Sequence, residues 1–133
     1  MLRYFLLHFL HMKTTKIVFW VTTVAIFLFE GVMPALTGTS DMAVAGITHL
    51  GYPVYFVWII TLFKVLGSIV LIVPQIPGRY KEWAYAGFGI DFICAFVSLA
   101  VVDGFGPLLL LPSVFFIFLV LSYRAYHKLN AVK

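Results

Sequence analysis

Two charged side chains, Lys64 and Asp91, lie deep inside long apolar stretches of the sequence. Only a short basic segment separates the two stretches, so we expect antiparallel neighbouring helices in which the charges meet near mid-membrane. An ionisable side chain at the centre of a bilayer costs about 2.5–3.5 kcal/mol on insertion scales, and pairing lowers that cost. Two interpretations stay open: an ion pair that fixes helix packing, or the polar floor of a ligand cavity or proton-handling site.

Four further polar residues are candidates for the same polar centre: Glu30, His49, Ser68 and Ser98. Glu30 is expected nearer the outer face, which His49 approaches from a connecting segment. A Glu30–His49 contact is one hypothesis, but separate solvation of both side chains is favoured. Ser68 and Ser98 belong to small-residue helix faces that also contain the two central charges. Small residues let membrane helices approach closely, so packing is the favoured explanation of these faces.

Several chemistries lack the residues they need, and no residue is assigned a catalytic role. The apolar stretches contain no two histidines at matching depth for haem, and the chain has no His, Cys and carboxylate set with metal-ligand spacing. There is no glycine-rich phosphate loop. Cys94 is the only cysteine, so no internal disulfide can form. The sequence therefore predicts neither a haem nor a metal site.

The composition is that of an integral membrane protein. Of the 133 residues, 63% are hydrophobic and 11% are charged, and the mean hydropathy is +1.08. Soluble domains carry about 25% charged residues. The net charge of +4 comes from basic residues at the ends of apolar stretches. Membrane topology explains these residues, so the lipid bilayer is the predicted partner and nucleic acid is not.

Four transmembrane helices are predicted, at residues 17–36, 53–73, 83–102 and 107–123. Ser40 or Asp41 is expected to cap a short helix between the first two spans. Residues 1–12 are predicted to be an extension or an interfacial helix, and Met12 is an alternative start of translation. The predicted fold is an all-α, integral membrane four-helix bundle, with residues 1–133 as a single membrane domain.

The basic residues predict the orientation. Eight of the nine Lys and Arg residues fall on the side of the two termini and the loop between spans two and three, and none falls in residues 33–52 or 103–107. Loops rich in Lys and Arg stay in the cytoplasm, so both termini are predicted to be cytoplasmic. The expected location is a multi-pass membrane protein, in the inner membrane if the cell is bacterial. The eight residues are Arg3, Lys13, Lys16, Arg79, Lys81, Arg124, Lys128 and Lys133.

Several short segments resemble the DoxX-like family of small four-helix membrane proteins. They are His49–Pro53 (HLGYP), Phe63–Gly67 (FKVLG), Val73–Pro74, Lys81–Phe88 (KEWAYAGF) and Asp91. Lys81–Phe88 is the most specific of them. The resemblance begins near Met12 and covers nearly all of the remaining chain. It departs after Ser98, where relatives carry a Ser-His pair and this chain has Leu99, so no role of that histidine transfers.

The resemblance implies a membrane subunit associated with quinone-linked or oxidative-stress oxidoreductases. One hypothesis is therefore a subunit that binds a quinone in the bundle and partners a peripheral oxidoreductase at its basic cytoplasmic face. A second is a non-catalytic binding or carrier protein for a small hydrophobic molecule. A third is an assembly protein in which a structural Lys64–Asp91 pair only orders the bundle. Whether the chain is an enzyme stays open, as does the formation of a homo-oligomer.

Overall fold

The computed structural model describes residues 1–131, and all regular secondary structure within them is helical. The first long segment contains a π-helical turn, and a 3₁₀ turn precedes the last helix. The elements in chain order are α1 (Leu2–Phe27), the π turn (Leu28–Val32), α2 (Met33–Thr37), α3 (Asp41–His49), α4 (Phe56–Ile72), α5 (Gly78–Asp103), the 3₁₀ turn (Pro107–Leu109) and α6 (Leu110–Ala131).

The long helices α1, α4, α5 and α6 pack side by side in a closed ring, in which each contacts two neighbours. We call the end of this ring that holds the α4–α5 connection the Pro74 end, and the opposite end, covered by α3, the α3 end. The apolar core lies between the charged middle of the ring and the Pro74 end. Its buried members are Ile26, Leu71, Tyr85, Phe88, Phe92, Phe115 and Leu119.

Among residues 1–131, three helical segments are long and apolar enough to cross a membrane: Leu2–Thr37, Gly78–Asp103 and Pro107–Ala131. The fourth apolar helix, α4, has 17 residues and is shorter. Side chains on the outside of the ring are largely apolar and exposed, as lipid contact requires. The fold is therefore an all-helical membrane protein.

The helix bounds differ from the predicted spans mainly at the polar segment near residue 14. Residues 2–12 form no separate helix there, because α1 runs on without a break. Thr14 and Thr15 donate their hydroxyls to the carbonyls of Leu10 and His11, one turn back, at 3.0 and 2.8 Å. This bonding satisfies the polar side chains within the helix. Residues 1–11 are exposed and extend α1 beyond the rest of the ring.

The other helices begin or end several residues away from their predicted limits. α4 begins three residues after the predicted span, α5 begins five residues before its span, and α6 continues to Ala131. The predicted helix in the first connection is α3, and its cap is Ser40, whose Oγ accepts a hydrogen bond from the Ala43 amide at 3.3 Å.

Lys81 stabilises the end of α4 rather than facing the loop solvent. Its side chain is 3% exposed. Its Nζ donates to the carbonyls of Val70, Leu71 and Val73 at 2.8, 3.1 and 2.8 Å. The last carbonyls of a helix lack partners within the helix, and a cation there also complements the helix dipole. The basic residue of the most specific family-like segment therefore holds α4 against α5. Lys133, which was also counted for the orientation, lies outside the described residues.

Candidate functional site

Three charged side chains from three elements meet at the centre of the ring. Lys64 is the central residue of α4, and Asp91 lies at the middle of α5. The Lys64 Nζ lies 2.7 Å from Oε2 of Glu30 and 3.4 Å from Oδ2 of Asp91. We call Glu30, Lys64 and Asp91 the charged triad. The predicted meeting of Lys64 with Asp91 occurs, but Glu30 is the nearer partner.

The π turn places Glu30 in this position. It adds a residue to the helical turn, so that Glu30 and Gly31 both reach α4. Gly31 is buried against Ser68, and a Cβ at Gly31 would lie 2.1 Å from the Ser68 Oγ. Only glycine permits this close approach between the π turn and α4. π-Helical turns inside α-helices occur frequently at functional sites.

The triad carries more negative than positive charge. With all three groups ionised its sum is −1, because two carboxylates share one ammonium group. The side chains of Glu30, Lys64 and Asp91 are 12%, 25% and 18% exposed. Glu30 Oε2 and Asp91 Oδ2 are buried, and Lys64 is the only donor that lies close to either of them. These oxygens therefore retain capacity to bind a further donor.

A cavity of about 500 Å³ between α4 and α5 ends at Lys64 and Asp91. Its walls are apolar apart from these residues and the Tyr80 hydroxyl. It opens to the outside of the ring, where its lining residues Phe63 and Trp83 are 68% and 81% exposed. In a membrane this opening faces lipid. A volume of this size and an apolar wall with few polar groups are typical of small-molecule sites. We call it the α4–α5 cavity.

A second cavity, of about 480 Å³, leads from the α3 end to the same lysine. We call it the α3-end cavity. Lys64 lies in its wall, and His49 and Asp103 line it at the α3 end. The His49 Nε2 and the Asp103 Oδ1 are 2.6 Å apart, and their side chains are 59% and 31% exposed. Lys64 is therefore in contact with two separate cavities.

Of the other predicted site residues, His49 lies at the α3-end cavity and Ser68 lies beside the π turn. His49 contacts Asp103, and the hypothesis of a Glu30–His49 contact is wrong in this structure, because Glu30 turns inward to Lys64. Ser68 is fully buried, and its Oγ donates to the Val65 carbonyl at 2.9 Å.

Ser98 shares a hydrogen bond of 2.7 Å with the Tyr52 hydroxyl, away from the triad. The predictions did not include Asp103 or Tyr52. Both residues lie beside turns marked by Gly and Pro, and turns at the same membrane side are brought close together. The position of Asp103 and Tyr52 beside these turns was therefore the sequence signal that could have placed them near His49 and Ser98.

A separate buried polar cluster joins α1, α5 and α6. The Ser122 Oγ lies 2.7 Å from both the Thr23 Oγ1 and the Tyr85 hydroxyl, and all three residues are buried. Every hydroxyl in the cluster has a partner, so this cluster serves packing. Within residues 1–131 no group of three or more His, Cys, Asp or Glu residues is arranged to hold a metal ion.

The comparison with known families agrees with the family-like segments of the sequence. The model of the DoxX-like family matches residues 18–122, which include the triad, His49 and Asp103. No curated protein and no solved structure matches the chain. The matched region covers most of the sequence and every element from the middle of α1 to the middle of α6. The chain therefore belongs to the DoxX-like family.

Proposed function

We propose that this protein is a membrane subunit that binds a quinone in the α4–α5 cavity and works with an oxidoreductase. The observation that carries the proposal is the cavity itself: an apolar space of about 500 Å³ that opens toward lipid and ends at Lys64 and Asp91. A quinone has the matching shape, since it joins a flat ring with carbonyl oxygens to an apolar tail. A lateral opening admits such a molecule from the bilayer.

The chain's own residues have distinct roles in this proposal. The Lys64 ammonium donates a hydrogen bond to a ring carbonyl, and a protonated Asp91 donates to the same region. Phe63, Phe88 and Trp83 flank the ring or tail with apolar surface. Only Lys64 approaches the Asp91 Oδ2, at 3.4 Å, so in its protonated form this oxygen is free to donate to a ring carbonyl. A bound quinone supplies reversible electron and proton uptake.

The Pro74 end is the proposed docking surface for the oxidoreductase partner. Lys13, Lys16, Arg79, Arg124 and Lys128 lie toward this end and are exposed. A cluster of exposed cations favours a partner with an acidic surface. A second copy of the chain is the alternative partner, and cross-linking in native membranes distinguishes a homo-oligomer from a complex with a peripheral protein.

We further propose four spans, with both termini in the cytoplasm. At 1.5 Å per residue α4 is about 26 Å long, slightly less than a hydrocarbon core of about 30 Å. Helices of this length are accommodated by local thinning of the bilayer. In a Cys94→Ser background, single cysteines at Ser40 and Gln75 should react with impermeant reagents from opposite sides. Labelling of both from the same side would exclude a membrane-crossing α4.

The quinone proposal is tested by a matched pair of cavity-filling variants. Gly87 lines the α4–α5 cavity and Gly46 lines the α3-end cavity, and a Cβ at either position meets no atom within 4 Å. The proteins are purified in nanodiscs, and extracted molecules are identified by mass spectrometry. We expect stoichiometric quinone in the wild type and in Gly46→Leu, and its loss in Gly87→Leu and Asp91→Asn. Wild-type protein that contains only bulk lipid, even after added quinone, excludes the proposal.

One observation favours a second candidate, in which the triad only orders the bundle. Glu30 gives Lys64 a close partner without any ligand, and the Gly31–Ser68 contact locks the same helices together. In that case Gly87→Leu leaves the cellular phenotype of the protein unchanged.

A carrier role without chemistry predicts a different result: saturable binding that Gly87→Leu removes, with no change in the oxidation state of the bound molecule.

A further inference from the structure

Two features that meet at Lys64 go beyond the quinone proposal, which takes Asp91 as protonated without giving a source for its proton. One is the excess negative charge of the triad, and the other is the α3-end cavity with His49 and Asp103 in its wall. We propose that the triad binds one exchangeable proton, which it receives from water at the α3 end through the α3-end cavity. The proposal holds whatever molecule occupies the α4–α5 cavity.

The charge count requires a positive ion at the triad. A net charge of −1 among side chains that are 12–25% exposed is costly in a membrane interior, where charged groups pair or become neutral. One proton shared between Glu30 and Asp91 brings the sum to zero. It also turns one carboxylate oxygen into a donor, so that the two carboxyl groups and the ammonium can satisfy one another.

The α3-end cavity reaches the triad at Lys64, so the proton enters by relay: the Lys64 ammonium passes one proton to Glu30, 2.7 Å away, and takes its replacement from water in the cavity. The titratable groups in its wall are His49, Asp103 and Lys64 itself, and the hydroxyls of Thr37 and Thr61 line the space between the ends. The His49 Nε2 lies 2.6 Å from the Asp103 Oδ1, so a histidine and a carboxylate stand together at the outer end of this cavity. The cavity has polar partners and ample room for several water molecules.

The opposite direction has no polar path, although the α4–α5 cavity extends from Asp91 toward Tyr80 near the Pro74 end. Between the triad and the Pro74 end lie the buried side chains of Leu71, Tyr85 and Phe88. The buried cation on this side, Lys81, donates to three carbonyls of α4, so its three N–H groups already have partners. The α4–α5 cavity has apolar walls and opens toward lipid. The proton therefore comes from the side opposite the two termini.

Infrared spectroscopy in nanodiscs tests this proposal directly. A protonated carboxylic acid gives a carbonyl band that is distinct from carboxylate bands and that shifts in heavy water. We expect such a band in the wild type at neutral pH and its loss in Glu30→Gln or Asp91→Asn. Gly46→Leu fills the α3-end cavity without touching the triad, and should slow the deuterium shift at least about tenfold, a barrier increase of about 1.4 kcal/mol. Gly87→Leu is the matched control and should exchange at the wild-type rate.

Three results would overturn the proposal. The first is a wild-type spectrum without a carboxylic acid band that depends on Glu30 or Asp91. The second is exchange in Gly46→Leu as fast as in the wild type, which excludes this route. The third is a band that disappears when Na⁺ or K⁺ is added at constant pH, which assigns the positive charge to a metal cation. Loss of quinone binding has no bearing on these readings, because Gly87→Leu, which is expected to lack quinone, should give the same band and the same exchange rate as the wild type.

Discussion

Replacement of Lys64 by Met should destabilise the protein strongly, and the structure gives the size of the effect. At an effective dielectric constant of about 20, charges at 2.7 and 3.4 Å attract by about 6 and 5 kcal/mol. Since the two carboxyl groups share one proton, only one of these attractions acts fully at a time, and the desolvation of the charged groups offsets much of it. Removal of one partner from a buried ion pair costs about 3–5 kcal/mol, because the remaining charge stays buried. We expect a loss in this range for Lys64→Met.

The stability lost in Lys64→Met should be recovered in steps as the buried negative charges are removed. Lys64→Met leaves two buried carboxyl groups without a cation. Adding Asp91→Asn leaves Glu30 alone and should recover part of the loss. Adding Glu30→Gln as well removes the last charge and should recover most of it, since apolar or neutral replacements of buried ion pairs are often neutral or stabilising. The assay is reversible unfolding in bicelles by steric trapping, with Lys128→Met as the exposed control.

A loss of stability below about 1 kcal/mol in Lys64→Met would contradict this expectation, because that is the range of an exposed ion pair. The expectation also fails if the double substitution of Lys64 and Asp91 is already as stable as the wild type. That result would mean that Glu30 makes no energetic contribution to the triad, despite its shorter distance to Lys64.

Three further substitutions test the packing around the site, each by thermal unfolding in nanodiscs. Lys81→Met should cost about 3 kcal/mol by leaving three α4 carbonyls without their charged donor, whereas Met at the exposed Arg79 should have little effect. Gly31→Ala should destabilise, and Ser68→Gly in the same chain should restore stability by removing the atoms that the new Cβ meets. Ser122→Ala should cost about 2 kcal/mol, because two buried hydroxyls lose their partner.

The pairing of Lys64 with Asp91 follows from residue counting because their helices are joined by a short turn. Neighbouring antiparallel helices of similar length bring their midpoints together, and few alternatives exist in a bilayer. The apolar composition predicted the helical content and the short sequence segments predicted the family, while the cap of α3 was predicted as Ser40 or Asp41 and is Ser40. Helix ends were less predictable, since hydroxyls such as that of Thr14 bond within the helix and hide the polar boundary.

The position of Glu30 could not be derived in the same way. Counting residues along a helix assumes a constant rise and rotation per residue. The π turn at Leu28–Val32 departs from both, and Glu30 lies within it. Gly31 was the visible signal, because a glycine in an apolar helix permits a close approach that no other residue allows. Its partner, Ser68, was in the predicted polar centre, but as a possible site residue rather than as the surface against which the π turn packs.

The location of Lys64 between two cavities gives the triad a role that a simple ion pair does not need. An ion pair that only fixes packing is best served by full enclosure and by equal numbers of opposite charges. Here a second carboxyl group is brought in by a π turn, and the lysine contacts one space that opens to lipid and another that leads to His49 and Asp103. Such an arrangement suits a centre where a membrane-soluble ligand and a proton meet from different directions. If so, Gly87→Leu and Gly46→Leu have separable effects, the first on ligand retention and the second on proton exchange. If the triad is only structural, neither variant affects more than local packing.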